Sequence, residues 1–389
     1  MVGGLFDRHD VNETSTVVAA TRKLLSRVPK DDWLVVAWSF IAKIVLIVFG
    51  VVSLHINNNA PLPAHDGLLQ IWNRWDSVQY LRLAQSGYSA TGPWKAWFYP
   101  LFPWSTRAVA AVTGDYLVAG FIVSAVALAA AAVALRRLLC LDFSREIALR
   151  AVWFLLIFPT SYFLHIAYTE SLFLAFAIGS ILAARKNIWW MAGGLGALSW
   201  MTRANGAVLV PTLAVEAAHQ FWKGRRWNWQ WLWICAVPLG FGVYLLLNWH
   251  VTGNPFTALH MRKTVSVTSW AWPWIGIRGA FQNLHRTPSQ AEMVGAQELY
   301  FSILGLACVI VSWIKLRPVY AVWATGNWLL FSAVTFIESA PRYTLLIFPL
   351  FILFGFVGEN RFWNGVITVW SLLFLALFSA VFVHGTWAF

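Results

Sequence analysis

The residues best suited to chemistry lie in four short polar stretches of an otherwise apolar chain. Residues 71–88 read IWNRWDSVQYLRLAQSGY and carry Asn73, Arg74, Asp76, Gln79 and Arg82. FPTSYFLHIAYTES, at 158–171, holds His165, Tyr168 and Glu170. TRANG, at 202–206, holds Arg203 and Asn205, and ESAPRY, at 338–343, holds Glu338 and Arg342. A positioned carboxylate can take a proton from a hydroxyl. An arginine can bind a phosphate through a planar fork of N–H donors. Asp76, Glu170 and Glu338 are therefore candidates for proton transfer, and Arg203 and Arg342 for anion binding. His165, Tyr168, Glu170, Asn205, Arg74 and Tyr99 are candidates to line a substrate site.

Each candidate also has a plainer reading. Asp is a good helix cap, so Asp76 is read equally as a cap or as a base. Glu170 opens an apolar segment, where a carboxylate favours the positive end of a helix dipole. His165 fits a hydrogen-bonded packing role. Arg203 and Arg342 could extend to lipid headgroups, although arginine in outer turns runs against the usual charge bias. Tyr99, in the run Trp97-Phe98-Tyr99, and the segment SWAWPW at 269–274 fit interfacial anchoring.

The elements that must position these residues follow from composition. The chain has 389 residues, 59% hydrophobic and 11% charged; soluble domains carry about 25% charged residues. Apolar runs recur along the whole length. The expectation is an all-α polytopic membrane protein, with 1–389 forming one transmembrane domain. Helices are expected at 33–53, 117–136, 147–167, 170–184, 188–202, 206–221, 229–249, 299–314, 318–336, 343–358 and 363–384, which makes eleven. Several are short for a hydrocarbon core that needs ~20 residues, as at a site set below the membrane surface.

More than half of the 28 Lys and Arg fall in alternate loops, with Arg136, Arg137, Arg145, Arg150, Lys223, Arg225 and Arg226 on one side. The positive-inside bias then puts residues 1–32 in the cytoplasm as a tail and all four polar stretches outside. The long outer loops are 54–116 and 250–298. In the first, Trp75, Val78, Tyr80, Leu81 and Ala84 recur at helical spacing, which predicts an amphipathic helix on the outer leaflet, ended by Gly87-Tyr88.

The net charge of +12 is spread in these loop clusters, and no nucleic-acid motif accompanies it. Cys140, Cys235 and Cys308 are scattered singly and show neither disulfide nor metal spacing. No cleavable signal peptide is expected, because a polar, basic stretch precedes the first apolar run. A glycosylation sequon at Asn12-Glu13-Thr14 would be inert on a cytoplasmic tail.

The order of these motifs resembles the PIG-V family, the mannosyltransferases that add the second mannose in GPI-anchor assembly, with prokaryotic relatives. The family's Trp-Asp, Gly-Tyr and aromatic pair before Pro-x-x-Pro read here as Trp75-Asp76, Gly87-Tyr88 and Phe98-Tyr99-Pro100-Leu101-Phe102-Pro103. FPTSYFLHIAYTESLF is similar to its Pro-x-x-x-Phe-x-x-x-Tyr-[Ser/Thr]-Glu-x-x-Phe, and Arg203-Ala204-Asn205-Gly206 to its Arg-x-Asn-Gly. Pro341-Arg342-Tyr343 is a weaker fourth match. Gln79 stands where some members have His, so a role for that His does not transfer. The chain is shorter than the eukaryotic enzymes and fits a bacterial or archaeal relative in a plasma membrane; for a eukaryotic member the membrane would be the endoplasmic reticulum.

The resemblance implies a GT-C-like glycosyltransferase with an extracytoplasmic site and a polyprenyl-phosphate mannose donor. It implies Asp76 as the catalytic base and inversion at the sugar carbon. The partners would be that donor, a lipid or glycan acceptor and membrane lipids, with no nucleic acid. No cofactor enters this scheme and it does not require a divalent metal. A lipid or sugar transporter or flippase, and a non-catalytic membrane assembly subunit, are the rival readings. Against a transporter, the sequence has no repeated half and its charges collect at one face.

Overall fold

The computed structural model describes residues 29–58, 67–88, 93–264, 269–284, 291–386 and 388. The basic cluster at 22–27 and the sequon at 12–14 lie outside the described residues. Among the described residues the structure is helical, with no β-strand and one isolated bridge between Trp270 and Val334.

Five helices are long and apolar enough to cross a membrane: Lys30–Ile56, Tyr116–Leu139, Trp229–Thr252, Ala296–Lys315 and Arg361–Val383. The chain is an integral membrane protein. The other six expected crossings coincide with shorter helices of 9 to 16 residues, so helix length supports five crossings and leaves the expected eleven unconfirmed.

In chain order the helices are α1 (Lys30–Asn58), α2 (Asp76–Ser86), α3 (Leu101–Thr113), α4 (Tyr116–Leu139), α5 (Arg145–Ile157), α6 (Tyr162–His165), α7 (Glu170–Arg185) and α8 (Trp189–Trp200). Then come α9 (Leu209–Gly224), α10 (Val237–Thr252), α11 (Thr257–Thr264), α12 (Pro273–Asn283), α13 (Ala291–Lys315), α14 (Pro318–Ser332), α15 (Ala340–Thr344), α16 (Pro349–Val357) and α17 (Arg361–Val383). The centre is built by α4 against α1, α3, α5 and α7, with α7 packed in turn on α8 and α9. Gly240 lets α10 approach α8, since a Cβ there would sit 2.0 Å from the Ala197 carbonyl oxygen.

Two expected helices are broken, both at proline. The helix expected at 147–167 stops at Ile157, because the residue before a proline is driven out of the helical region. Phe158 duly takes φ −55°, ψ 147°. Residues 158–169 then run through the interior, all of them buried. Non-helical backbone at membrane depth is tolerated only where protein or a cavity satisfies it. Here Lys43, a buried ammonium on α1, donates to the carbonyls of His165 (2.6 Å) and Phe121 (3.0 Å). The Thr160 hydroxyl donates to Pro341 O at 2.9 Å and ties this segment to α15. The helix expected at 343–358 is likewise split into α15 and α16, the second opened by Pro349.

The helix in the first loop exists, and its placement corrects the expectation. Its apolar stripe is covered by protein, since α2 packs on α3 and α4, with Tyr80, Leu81, Leu83 and Ala84 buried while Trp75 is exposed. Its C-terminal carbonyls are capped by cations, as the helix dipole favours. Arg107 donates to Ala84 O and Gln85 O, at 2.5 and 2.8 Å, and the buried Lys95 donates to Gly87 O at 3.0 Å. Trp72, wholly buried and stacked on Phe382, fixes the approach to the helix.

At the far end of α7 and α9 from Glu170 and Arg203, ion pairs join the helices. Arg185 holds Asp142, Arg317 holds Glu216, and Arg136 and Arg137 hold Asp32.

Candidate active site

Four ionisable side chains from four separate junctions meet at one end of this bundle. Asp76 comes from the start of α2, Glu170 from the start of α7, Arg203 from the α8–α9 turn and Arg342 from α15. Glu170 is the hub. Its carboxylate is wholly buried, and one oxygen accepts from Arg203 Nη1 and Arg342 Nε, each at 2.5 Å. Arg342 reaches onward, and its Nη1 donates to Asp76 Oδ2 at 2.7 Å. The formal charges in this group of four cancel.

Aromatic faces and a hydroxyl complete the setting. The Arg342 guanidinium lies 4.8 Å from the ring centres of Phe163 and Tyr168, a cation–π arrangement. Arg203 lies 5.5 Å from the Tyr343 ring and also donates to the Thr169 hydroxyl at 2.8 Å. Burial opposes the charge on Arg342, but the Glu170 and Asp76 carboxylates outweigh it and hold the guanidinium above its ordinary pKa. Burial, with the Asp76 charge adding to it, raises the Tyr80 phenol above its ordinary range.

The backbone presents these groups under constraint. Trp75, just before Asp76, has φ 52° and ψ −120°, a region that costs a bulky residue energy and persists only where the surroundings impose it. The Tyr168 hydroxyl donates to Arg74 O at 3.1 Å and steadies the same turn. Among the described residues no helix N–H donates to the Asp76 side chain, which occupies the first helical position and accepts from Arg342 instead. The capping reading thus loses its geometric basis. The side chain is about one-third exposed (35%), and its second oxygen, Oδ1, has no protein partner among the described residues.

Of the other residues singled out from sequence, Tyr168 lies in the cluster and the rest stand beside or apart from it. Asn205 donates to Asn327 Oδ1 at 2.9 Å, linking the α8–α9 turn to α14. Gly206 has a steric reason for its identity, since a Cβ there would sit 2.3 Å from the Trp200 Cα. The Arg74 guanidinium is turned to the end of α17, on Val383 O. Tyr99 stacks on Tyr244 with ring centres 4.1 Å apart. His165 faces a separate apolar cavity of about 270 Å³ lined by Trp38, Phe49, Trp153 and Leu375. Among the described residues no hydrogen bond or ion pair joins Glu338 to the four-membered group.

Sequence reasoning passed over Thr169 and, above all, Glu298. Glu298 is buried on α13 and accepts the backbone N–H groups of Ser339 (2.7 Å) and Ala340 (2.6 Å). Ser339 itself has φ 64°. Glu298 therefore pins the turn that carries Arg342. A glutamate within an apolar helix was the available signal. Among the described residues no three His, Cys, Asp or Glu side chains come together as a metal site.

Residues 60–230 match the family model described as Mannosyltransferase (PIG-V). The chain thus resembles these mannosyltransferases over the region that holds the motifs around Asp76, Glu170 and Arg203. Arg342 lies beyond the matched residues. No match to the chain is found among curated proteins. Among solved structures, the apo form of an oligosaccharyltransferase from Archaeoglobus fulgidus is 11% identical, with 89% of this chain and 54% of that one covered at a TM-score of 0.41. The archaeal oligosaccharyltransferase AglB of the same organism, in complex with an inhibitory peptide and a dolichol-phosphate, is 10% identical, with 88% and 56% covered at a TM-score of 0.45. The chain spans about half the length of these proteins. The family match supports a membrane glycosyltransferase.

Proposed function

We propose that the protein transfers a sugar, mannose by its family likeness, from a polyprenyl-phosphate donor to an acceptor hydroxyl at the extracytoplasmic face. The observation that carries this reading is the joining of Asp76, Glu170, Arg203 and Arg342 in one group, with an oxygen of Asp76 left open.

In this mechanism the acceptor oxygen attacks the sugar C1 from the face opposite the phosphate. Its proton passes to Asp76 Oδ1. The new C1–O bond forms as the C1–O(phosphate) bond breaks, and the polyprenyl phosphate leaves with the electron pair. One displacement inverts the anomeric centre. A phosphate departs without being protonated, so the scheme needs one carboxylate where a glycosidase needs two.

Positioned proton transfer is worth ~10²–10⁴-fold. Arg342 Nη2 and Arg203 Nε and Nη2 have no protein partners among the described residues and are the donors offered to the phosphate. Glu170 holds both guanidinium groups in place, a supporting role beyond the dipole reading.

Incorporation of labelled mannose from a polyprenyl-phosphate mannose by the purified protein tests the proposal. A flippase would move the lipid without forming a glycosidic bond, and an assembly subunit would do neither.

A further inference from the structure

The end of the bundle opposite Asp76 carries a surface that the transfer mechanism does not use. α9 starts beside Arg203 and runs 16 residues, about 24 Å at 1.5 Å per residue. Its last turn meets the last turn of α7, where Gln220 Nε2 donates to Ala184 O at 3.1 Å. The chain then turns through FWKGRRWNWQW, residues 221–231, and this stretch contains no carboxylate.

Its three cations differ from most of the arginines around them. Arg136, Arg137 and Arg145 are held by Asp31 and Asp32, Arg185 by Asp142 and Arg317 by Glu216. Lys223, Arg225 and Arg226 are exposed, with no side-chain partner among the described residues. Arg225 holds φ 51° at the helix C-terminus, which turns the chain sharply and brings the three cations into one short loop.

Around them stand exposed indoles: Trp222 (67%), Trp227 (60%), Trp229 (73%) and Trp233 (50%). They are not loose. Trp231 is buried and meets Trp227 edge-on at 5.3 Å, Phe221 at 6.3 Å and Trp189 at 6.5 Å. An ordered aromatic rim around unneutralised cations is the composition that suits the headgroup layer, where indole rings sit at the interface and cations meet anionic phosphates.

We infer that the 221–233 loop is a binding surface for anionic phospholipid headgroups in the leaflet opposite the site. Charge complementarity selects the occupant. The loop brings three free positive charges and no negative one, and the indoles place it at headgroup depth. A zwitterionic lipid would gain the indole contacts but little from the charge.

The test uses the full-length protein in nanodiscs of phosphatidylcholine and phosphatidylglycerol at 7:3. After mild extraction, native mass spectrometry counts the phosphatidylglycerol retained per protein. Each Lys or Arg near an anionic surface is worth roughly fivefold in lipid preference. Wild type is expected to retain phosphatidylglycerol above its share of the bilayer. The combined Lys223→Ala, Arg225→Ala and Arg226→Ala variant is expected to lose that enrichment, with thermal stability in detergent unchanged, because these exposed side chains make no hydrogen bond or ion pair among the described residues. Arg225→Gly, with the other two kept, relieves the positive φ and should reduce enrichment by roughly fivefold. Equal retention by wild type and the triple variant, or no enrichment in wild type, would overturn the inference and leave the loop as a solvated topology signal. So would enrichment that persists in 1 M salt, since exposed charges are screened there.

Discussion

Replacing Glu170 with Gln probes the four-membered charge group at its hub. The amide keeps the side chain's shape and one acceptor oxygen but removes the charge that two buried guanidinium groups share. Removing one partner of a buried pair costs ~3–5 kcal/mol, because it strands the other charge. Arg342 would still have Asp76, and Arg203 would still have the Thr169 hydroxyl and the Tyr343 face. The expected loss is therefore at the lower end, about 3 kcal/mol. That corresponds to a fall in apparent melting temperature on the order of 5 °C for a chain of this size. The assay is thermal unfolding in detergent at one scan rate. A second variant sharpens it. Glu170→Gln combined with Arg203→Met removes the stranded cation and should recover most of the loss, since apolar replacements of buried pairs are well tolerated. Wild-type stability in Glu170→Gln, or no recovery in the double variant, would refute the view that these are desolvated charges held by Glu170.

Three further outcomes follow from the same geometry. Arg203→Ala should sharply reduce donor use, and Arg203→Lys should recover only part, because Lys lacks the bidentate fork; unchanged donor kinetics in Arg203→Ala would remove that arginine from the site. Glu298→Gln keeps one acceptor for the Ser339 and Ala340 N–H pair and offers the other a donor, so turnover should fall ~10-fold or more with the melting point lowered by an unsatisfied group worth ~1–3 kcal/mol. Gly206→Ala forces a Cβ against the Trp200 backbone, and the displaced Arg203 turn should cost ~1–3 kcal/mol of stability, read as a lowered unfolding midpoint.

Most helix positions were legible because apolar runs between basic clusters mark them directly. α4 and α7 fall within three residues of expectation at each end. The breaks were legible in principle. Pro159 and Pro349 disfavour continuous helices, and a hydropathy reading passes over them because their neighbours stay apolar. The polar stretches also announced themselves, since an ionisable residue at a helix junction stands out in so apolar a chain.

Their partnerships did not. Glu170 takes its two arginines from 33 and 172 positions along the chain, and local spacing offered only the helix dipole as a reason for it. Glu298 and the turn it pins are 41 and 42 residues apart. The docking of α2 was hidden for a related reason. An apolar stripe is the same whether it meets lipid or protein, and only tertiary contact decides.

The central claim is that Asp76 receives the acceptor's proton, and Asp76→Asn tests it most directly. The amide can still accept the Arg342 hydrogen bond, Arg342 keeps its pairing with Glu170, and Asp76 is itself one-third exposed, so stability should fall by no more than ~1 kcal/mol. An amide does not take up a proton at neutral pH. Mannose transfer from polyprenyl-phosphate mannose in nanodiscs, measured beside the melting temperature, should drop at least ~10²-fold in a folded, donor-binding protein. Transfer at the wild-type rate by a folded Asp76→Asn variant would contradict the account and move the search for the base to Glu170 or Glu338.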